Sequence, residues 1–238
     1  MNVIAVLELQ RVTIGSLEHF FPIGFSIVFA IALILYAKRS SNEKLQKSLF
    51  NSLALVVSLT VLLYHLYTFV FETYNVKTDL PLYLCSLMSL LIPVFSYYKR
   101  YWMFEVLVFW IIAGTLQGVL TPDIAVGFPS FDYFRYWVVH LGLLIIIFYA
   151  IFVFNMKPSF KSIFKSFFAL QLYIVLMIFL NFILDANYCY LNRKPESASL
   201  LDYFGEWPYY IITAQLIIIP LFIIIYLPFH FKSRNKSL

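Results

Sequence analysis

Two residues in separate apolar stretches of the sequence could together carry out nucleophilic chemistry. Cys85 lies in the segment DLPLYLCSL, and His140 lies in the segment RYWVVHLGL. A thiolate is a strong nucleophile, and an imidazole beside it can take the thiol proton and later deliver it to a leaving group. A lone cysteine in an apolar helix is also a common packing residue, so this plainer role of Cys85 stays open.

His65, in the segment VLLYHLYTF, is a third candidate for the same chemistry. It could share a proton with Cys85 or His140, or it could orient a substrate. The alternative is an interhelical hydrogen bond from its ring to a hydroxyl group, as polar residues in membrane helices often form.

Further polar residues could bind a substrate around these three side chains. Gln117 could stabilise an oxyanion with its amide, and Arg193 beside Lys194 could hold a phosphate head group through charged hydrogen bonds. Asp123 could orient a histidine or merely solvate the turn that Pro122 introduces. The predicted substrate-binding residues are His19, Gln117, Asp123, Asn181, Asp185, Asn192 and Arg193.

The sequence predicts neither a metal site nor another cofactor. The two cysteines, Cys85 and Cys189, are too few for a disulfide framework or a convincing metal site. The histidines together with Asp123 leave zinc as an alternative, but no HxxxH or HxxE spacing is present. The net charge of +5 comes from Lys and Arg clusters between apolar runs, a pattern typical of membrane topology, so no nucleic-acid partner is predicted.

The elements that must position these residues are membrane-spanning helices. Hydrophobic residues make up 62% of the chain and charged residues only 12%, whereas a soluble domain is about a quarter charged. A spanning helix needs roughly 20 apolar residues, and runs such as LLIIIFYAIFVF do not alternate as barrel strands would. We therefore predict an all-α, polytopic bundle in one membrane domain, residues 1–238. Its seven predicted helices are 20–37, 48–71, 80–97, 101–120, 134–154, 164–184 and 208–229, the third being the shortest.

The distribution of positive charge predicts the orientation of the bundle in the cell membrane. Most of the 17 Lys and Arg residues fall in the first, third and fifth loops and in the C-terminal tail, which places the N-terminus outside and the C-terminus in the cytoplasm. His65, Cys85 and His140 then lie at similar depth, roughly 8 to 9 Å below the outer interface. The other polar candidates fall at or near the same face, whereas Glu105 lies near the inner end of its helix and has no predicted catalytic part. A single polar layer on one side predicts a functional site there.

Several segments resemble the YwaF family of bacterial membrane proteins, which is related to the eukaryotic transmembrane protein 164 group. They are an HF pair followed by a glycine near the start, LPLYLCSL, WMFEVLVFWIIAGTLQGVLTPD, FRYWVVHLGL, NYCYLNRKP and WPYYIITAQL. The eukaryotic group is described as a lipid acyltransferase that uses a helix cysteine and a downstream histidine, and the resemblance implies these roles for Cys85 and His140. Bacterial members commonly read LPLHLCS, and this chain has Tyr83 in place of that histidine.

The leading hypothesis is a membrane-embedded acyltransferase or lipid hydrolase whose substrate is a membrane phospholipid. Cys85 would attack a lipid ester and His140 would act as base and then as acid, while His65 or His19 with Gln117 would orient the substrate or stabilise the oxyanion. One alternative is a lipid-binding or partner-binding membrane protein without catalysis. Another is a small-molecule transporter, although the sequence lacks the internal repeats and broken helices that many transporters have.

Overall fold

The computed structural model describes residues 11–196 and 199–234, and the regular structure in these residues is entirely helical. Seven helices pass back and forth through the described part of the bundle, and two short 3-10 turns, Tyr188–Tyr190 and Leu200–Tyr203, lie between the last two helices. The helices are α1 (Leu17–Arg39), α2 (Glu43–Phe71), α3 (Leu84–Tyr98), α4 (Tyr101–Leu120), α5 (Phe131–Phe152), α6 (Phe160–Leu184) and α7 (Tyr209–Arg234).

Six of these helices are long and apolar enough to cross a membrane, which confirms the predicted all-helical, multi-pass membrane fold. The exception is α3, whose 15 residues rise only about 22 Å, less than the hydrocarbon core of about 30 Å. Its predicted start at residue 80 is too early, because residues 80–83 form a turn around Pro81 and the helix begins at Leu84.

Four other helices begin earlier than the apolar stretches indicate: α1 at Leu17 rather than 20, α6 at Phe160 rather than 164, and both α2 and α5. Asn42 caps α2, which begins at Glu43 rather than at residue 48. Ser130 caps α5, which begins at Phe131 rather than at residue 134. In both cases a side-chain oxygen accepts from N–H groups that the first turn of a helix would otherwise leave without partners.

The central helix of the bundle is α5. In its most apolar segment 67% of the residues are buried, against 6% for α1 and 11% for α7. It packs closely on α2 at Gly142, where a Cβ atom would overlap a methyl group of Val57. Small residues permit such close approach between membrane helices, so this glycine sets the distance between α2 and α5.

The second half of α4 departs from α-helical geometry. Residues Ile111–Thr115 form a π-helical turn between the α-helical parts Tyr101–Trp110 and Leu116–Leu120. Such a turn contains an extra residue, which rotates the residues that follow it relative to those before it, and it is frequent at functional sites. This turn packs against α3, α5 and α7, so it places Thr115 at a junction of four helices.

The loops at the end of the bundle that carries most polar candidates are held together by hydrogen bonds. The Tyr188 hydroxyl, between α6 and α7, donates to the Val76 carbonyl at 2.8 Å and accepts from the Leu80 N–H at 3.0 Å. The Val12 N–H donates to the carbonyl of Ile124, between α4 and α5, at 3.2 Å. Together these loops form a connected cover over this end, called the outer cover below after its predicted orientation.

At the opposite end, a buried ion pair fixes α4 to α6. Glu105 is 2% exposed, and its carboxylate accepts from the Ser162 hydroxyl and from the Lys165 ammonium, each at 2.7 Å. Because hydrogen bonds from α6 occupy both oxygens of this carboxylate, its evident role is structural.

Candidate active site within the bundle

The Cys85 thiol lies in the first turn of α3 and faces α4. Its Sγ atom is 3.8 Å from the Oγ1 atom of Thr115, a contact in which either group could donate. Thr115 is completely buried, so this contact lies in the protein interior rather than at a lipid-facing surface. The thiol of Cys85 is therefore held against the π-helical turn of α4.

The His140 ring is oriented by its own helix. Its Nδ1 atom lies 2.8 Å from the carbonyl oxygen of Tyr136, and since a carbonyl can only accept, Nδ1 carries the hydrogen. The ring also stacks on that of Tyr136, with centroids 4.0 Å apart. Nε2 then bears the lone pair, and no residue that the structure describes donates a hydrogen bond to it. The neutral ring has the tautomer that a general base needs.

One turn of α4 touches both candidate residues. A Cβ atom on Gly118 would lie 2.8 Å from His140 Nε2 and 2.7 Å from Cδ2, so the basic edge of the ring packs directly on this glycine. Thr115, which contacts the Cys85 thiol, precedes Gly118 by three residues, and residues at this spacing lie on the same face of a helix. Both candidates therefore contact α4 within about one turn, Cys85 at Thr115 and His140 at Gly118, and no direct hydrogen bond joins them among the described residues.

A chain of hydrogen bonds connects Tyr136, on which the His140 ring stacks, to the outer cover. The Tyr136 hydroxyl donates to the Gly118 carbonyl at 2.7 Å and accepts from the Asp123 N–H at 3.3 Å. The Asp123 carboxylate in turn accepts from the Tyr190 hydroxyl at 2.8 Å and from the Arg11 guanidinium. Asp123 therefore fixes the outer cover to the site through Tyr136, and its described contacts include no histidine.

His19 is anchored in a way that leaves no ring nitrogen for a substrate. Its Nδ1 atom accepts from the Gly15 N–H at 3.0 Å, and its Nε2 atom donates to the Val119 carbonyl at 2.8 Å. The side chain is only 3% exposed. These contacts join the start of α1 to the end of α4. His19, which was predicted to bind substrate, is therefore placed where it supports the packing of these two helices.

His65 lies apart from the other two candidates. Its Nδ1 atom is 3.5 Å from the hydroxyl of Tyr74, and the Tyr64 and Tyr74 rings pack edge-on to the imidazole. Its described contacts therefore lie within α2 and the loop that follows, and none reaches Cys85 or His140.

Asn181, Asp185 and Asn192 form hydrogen bonds that hold the conformation of the loop between α6 and α7 and its neighbours. The Asn181 amide, 2% exposed, accepts from the Tyr188 N–H at 2.7 Å and donates to the Tyr188 carbonyl at 2.9 Å. Asp185 ends α6 in the left-handed conformation, and the Lys77 ammonium, which donates to it at 2.6 Å, lowers the pKa of its exposed carboxyl. Asn192 donates from its side chain to the Ala186 carbonyl at 2.8 Å.

Arg193 is another loop candidate with an exposed side chain. Its N–H donates to the side-chain oxygen of Asn187 at 3.0 Å, which holds the backbone. The guanidinium makes no ion pair with a described residue. Arg193 is therefore placed where a phosphate head group could reach it.

A cavity of about 310 Å³ adjoins the Cys85 side of this cluster. It lies between α4, α6, α7 and the loop that joins α6 to α7. Leu84 and Gly114, the sequence neighbours of Cys85 and Thr115, line it, and Leu84 Cδ2 is 3.5 Å from where a Cβ on Gly114 would lie. Gln117 also lines the cavity and donates one amide hydrogen to the Thr121 hydroxyl at 2.8 Å, which leaves its second hydrogen for another acceptor.

Cys189 is a second thiol on the wall of this cavity. It adopts a left-handed backbone conformation with φ of 59°, and its Sγ atom is 2.9 Å from the Tyr173 hydroxyl. The Tyr173 hydroxyl donates to the Leu82 carbonyl at 2.5 Å, and the Cys189 thiol lies 3.8 Å from the same carbonyl oxygen. Burial raises the pKa of the Cys189 thiol.

Three supporting features of the site were not among the predicted residues. Thr115 and Gly118 carry no charge, and Tyr190 looks like one more aromatic residue of a loop. The small residues of the segment IIAGTLQG were the available signal, since they permit close packing in a membrane helix.

Tyr83 stands where the resemblance to the YwaF family implies a histidine, and it packs on the aromatic rings of Tyr188 and Tyr190, with centroids 5.3 Å and 5.7 Å away. A phenol has an ordinary pKa of about 10 and cannot act as the base that a histidine would supply.

Among residues 11–196 and 199–234, no cluster of three or more His, Cys, Asp or Glu side chains is arranged to hold a metal ion.

Comparison with known proteins identifies one related family. Residues 14–226, most of the chain, match the profile described as the TMEM164 family. No curated protein and no solved structure matches the chain.

Proposed function

This chain belongs to the TMEM164 family, and we propose that it is a membrane-embedded enzyme that transfers or hydrolyses phospholipid acyl groups through Cys85 and His140. The proposal rests on one turn of α4, which contacts the Cys85 thiol through Thr115 and the basic edge of the His140 ring through Gly118. The adjoining cavity supports it further, since an acyl substrate needs an apolar space beside the nucleophile.

In the first half of the reaction, His140 Nε2 takes the proton of the Cys85 thiol as the sulfur attacks the ester carbonyl carbon. The free amide hydrogen of Gln117 is suited to stabilise the negative oxygen of the tetrahedral intermediate. The carbon–oxygen bond of the ester then breaks, and the departing alkoxide takes the proton from His140. A lysolipid leaves, and the acyl group remains on Cys85 as a thioester.

In the second half, a hydroxyl group attacks the thioester and His140 again accepts the proton. The carbon–sulfur bond breaks, and the thiolate recovers the proton from the imidazole. With the hydroxyl of an acceptor lipid the product is a new ester, and with water it is a free fatty acid. Both outcomes use the same residues, so access of the acceptor decides between transfer and hydrolysis.

The remaining residues position this pair or the substrate. Tyr136 fixes the tautomer and the plane of the His140 ring, and Thr115 holds the thiol. The exposed Arg193 at the outer cover is suited to bind the phosphate of the head group. His65 and His19 have no part in this mechanism, because the described contacts of His65 lie elsewhere and both nitrogens of His19 are occupied.

Trapping of the acyl-enzyme tests the proposal. The purified chain, reconstituted in lipid nanodiscs, is incubated with phosphatidylcholine whose acyl chain carries an alkyne, and covalent label is measured after denaturation. We expect hydroxylamine-sensitive label on the wild-type chain, at least 100-fold less on Cys85→Ala and His140→Gln, and undiminished label on the matched control Cys189→Ala. Label that survives Cys85→Ala would contradict the assignment. Lipid that remains bound and uncleaved in the wild-type protein would instead favour a lipid-binding role.

A further inference from the structure

We infer that the cavity between α4, α6 and α7 is the binding site for one fatty-acyl chain of a phospholipid, with the ester end beneath the outer cover and the methyl end toward the cytoplasmic side. This inference rests on the proposed function for the role of the chain as substrate, whereas the binding itself requires no catalysis.

The shape of the cavity fits a single hydrocarbon chain. Along α7 its lining extends from Tyr210 to Phe222, a length of about 18 Å at the rise of an α-helix. A volume of about 310 Å³ spread over that length leaves a channel about one hydrocarbon chain wide. The channel runs along the helices, and therefore along the direction of the lipid chains in the bilayer.

The polarity of the lining assigns the direction of the chain. Polar side chains line the outer half, where Gln117 and Gln215 lie about 5 Å and 9 Å from the outer ends of their helices. Below Gln215 the lining of α7 continues with Ile218, Leu221 and Phe222. An ester carbonyl can accept hydrogen bonds from the amide groups, and a hydrocarbon tail can pack on the apolar residues. The change from polar to apolar lining along the cavity therefore matches the change in polarity along an acyl ester.

The walls of the channel are fixed on both sides. The Gln171 amide of α6 donates to the Gln215 side-chain oxygen of α7 at 2.8 Å, which ties these two walls together. At the inner end the ring of Phe222, 1% exposed, packs against Phe109 of α4 with centroids 5.0 Å apart. This aromatic pair lies at the inner limit of the lining on α7.

Photocrosslinking of a lipid chain tests this site independently of turnover. The probe is phosphatidylcholine with a diazirine in the lower half of one acyl chain, added to the Cys85→Ala protein in nanodiscs so that no ester is cleaved. We expect adducts on the cavity-lining residues of α7 and α6, namely Ile218, Leu221, Phe222, Leu170 and Ile174. Adducts confined to lipid-facing side chains such as Leu172 and Leu216, which are 74% and 72% exposed, would overturn the inference.

Substitutions that fill the channel provide the matched comparison. Ile218→Trp should reduce the adducts inside the cavity at least fivefold, and the shorter change Ala214→Leu should do so by about half. Leu216→Trp adds the same ring on the lipid-facing side and should leave the adduct pattern unchanged. Equal adduct yields in Ile218→Trp and Leu216→Trp would overturn the inference. If one of these variants fails to fold, the adduct positions in the Cys85→Ala protein without further changes decide the question.

The two proposals fail in different ways. Cavity adducts in a protein that forms no acyl-enzyme would support the chain site and overturn the proposed catalysis. An acyl-enzyme on Cys85 without cavity adducts would support the catalysis and overturn the chain site.

Discussion

At the scale of single residues, the edge of the His140 ring that bears Nε2 is the most sensitive contact of the site. Nδ1 is committed to the Tyr136 carbonyl, so only Nε2 can exchange a proton, and this atom faces Gly118. Any atom added at residue 118 must therefore displace the base itself. The absence of a side chain at this position is a requirement of the proposed mechanism.

Gly118→Ala should slow acyl-enzyme formation by about 10²-fold, because a misplacement of about 1 Å at a reacting group costs that much. The new Cβ would lie 2.7 Å from the His140 ring, which stacking on Tyr136 prevents from moving freely. Gly24→Ala in α1 is the control, since no atom lies within 4 Å of its new Cβ. Rates of label incorporation for the two variants give the comparison, and equal rates would refute the role assigned to Gly118.

Thr115→Val should slow the same step about tenfold, the effect of losing one hydrogen bond worth about 1.4 kcal/mol. Valine keeps the shape of the side chain but removes the hydroxyl group that contacts the Cys85 sulfur. Thr115→Ser keeps the hydroxyl and should restore most of the rate. A pH–rate profile measured on each variant separates loss of the thiol contact from a general loss of folding, since only the former shifts the limb of the profile that the Cys85 thiol sets.

The sequence supplied the candidate residues of the site but not their contacts. Cys85 contacts Thr115 of α4 and the His140 ring packs on Gly118 of the same helix, and their common depth in the membrane stays a prediction. His65 was predicted at the same depth, yet its described contacts lie in a different part of the bundle. Depth follows from the rise of a helix, whereas direction around the helix axis depends on packing between helices, which a single sequence does not specify.

At the scale of helices, the contact between α2 and α5 is the closest approach in the bundle that a glycine permits. Gly142→Ala should destabilise the protein by about 1 to 3 kcal/mol, because the added methyl group overlaps the Val57 side chain. Gly24→Ala in α1 is the matched control, since no atom lies within 4 Å of its new Cβ. Thermal unfolding in detergent, followed by circular dichroism, should show a lower midpoint for Gly142→Ala alone. A midpoint equal to that of the control would show that α2 can shift to accommodate the methyl group.

The number of helices was predictable from hydrophobicity, and their ends and local geometry were less so. Apolar stretches end where polar capping residues begin, and for that reason the starts at Glu43 and Phe131 were placed too late. The π-helical turn Ile111–Thr115 has no signal in an apolar pattern, although it determines where Thr115 and Gly118 point.

At the scale of the whole molecule, the polar residues are distributed unequally between the two ends of the bundle. The outer cover joins three loops and the segment before α1 through Tyr188, Asp123 and their partners. Positive residues gather at the opposite end, as where α1 ends and α2 begins, with Lys38 in the last turn of α1 and Lys44 in the first turn of α2. The positive-inside rule therefore predicts that the candidate site opens toward the outer leaflet.

Site-directed labelling tests this orientation. In a Cys85→Ala, Cys189→Ala background, Ser41→Cys and Thr78→Cys introduce single thiols at exposed positions in the first and second loops. A membrane-impermeant maleimide should label Thr78→Cys in intact cells and should label Ser41→Cys only after permeabilisation, because the first loop carries the positive charge that is retained in the cytoplasm. The reverse pattern would place Cys85 and His140 near the inner leaflet, and the phospholipid substrate would then have to be sought there.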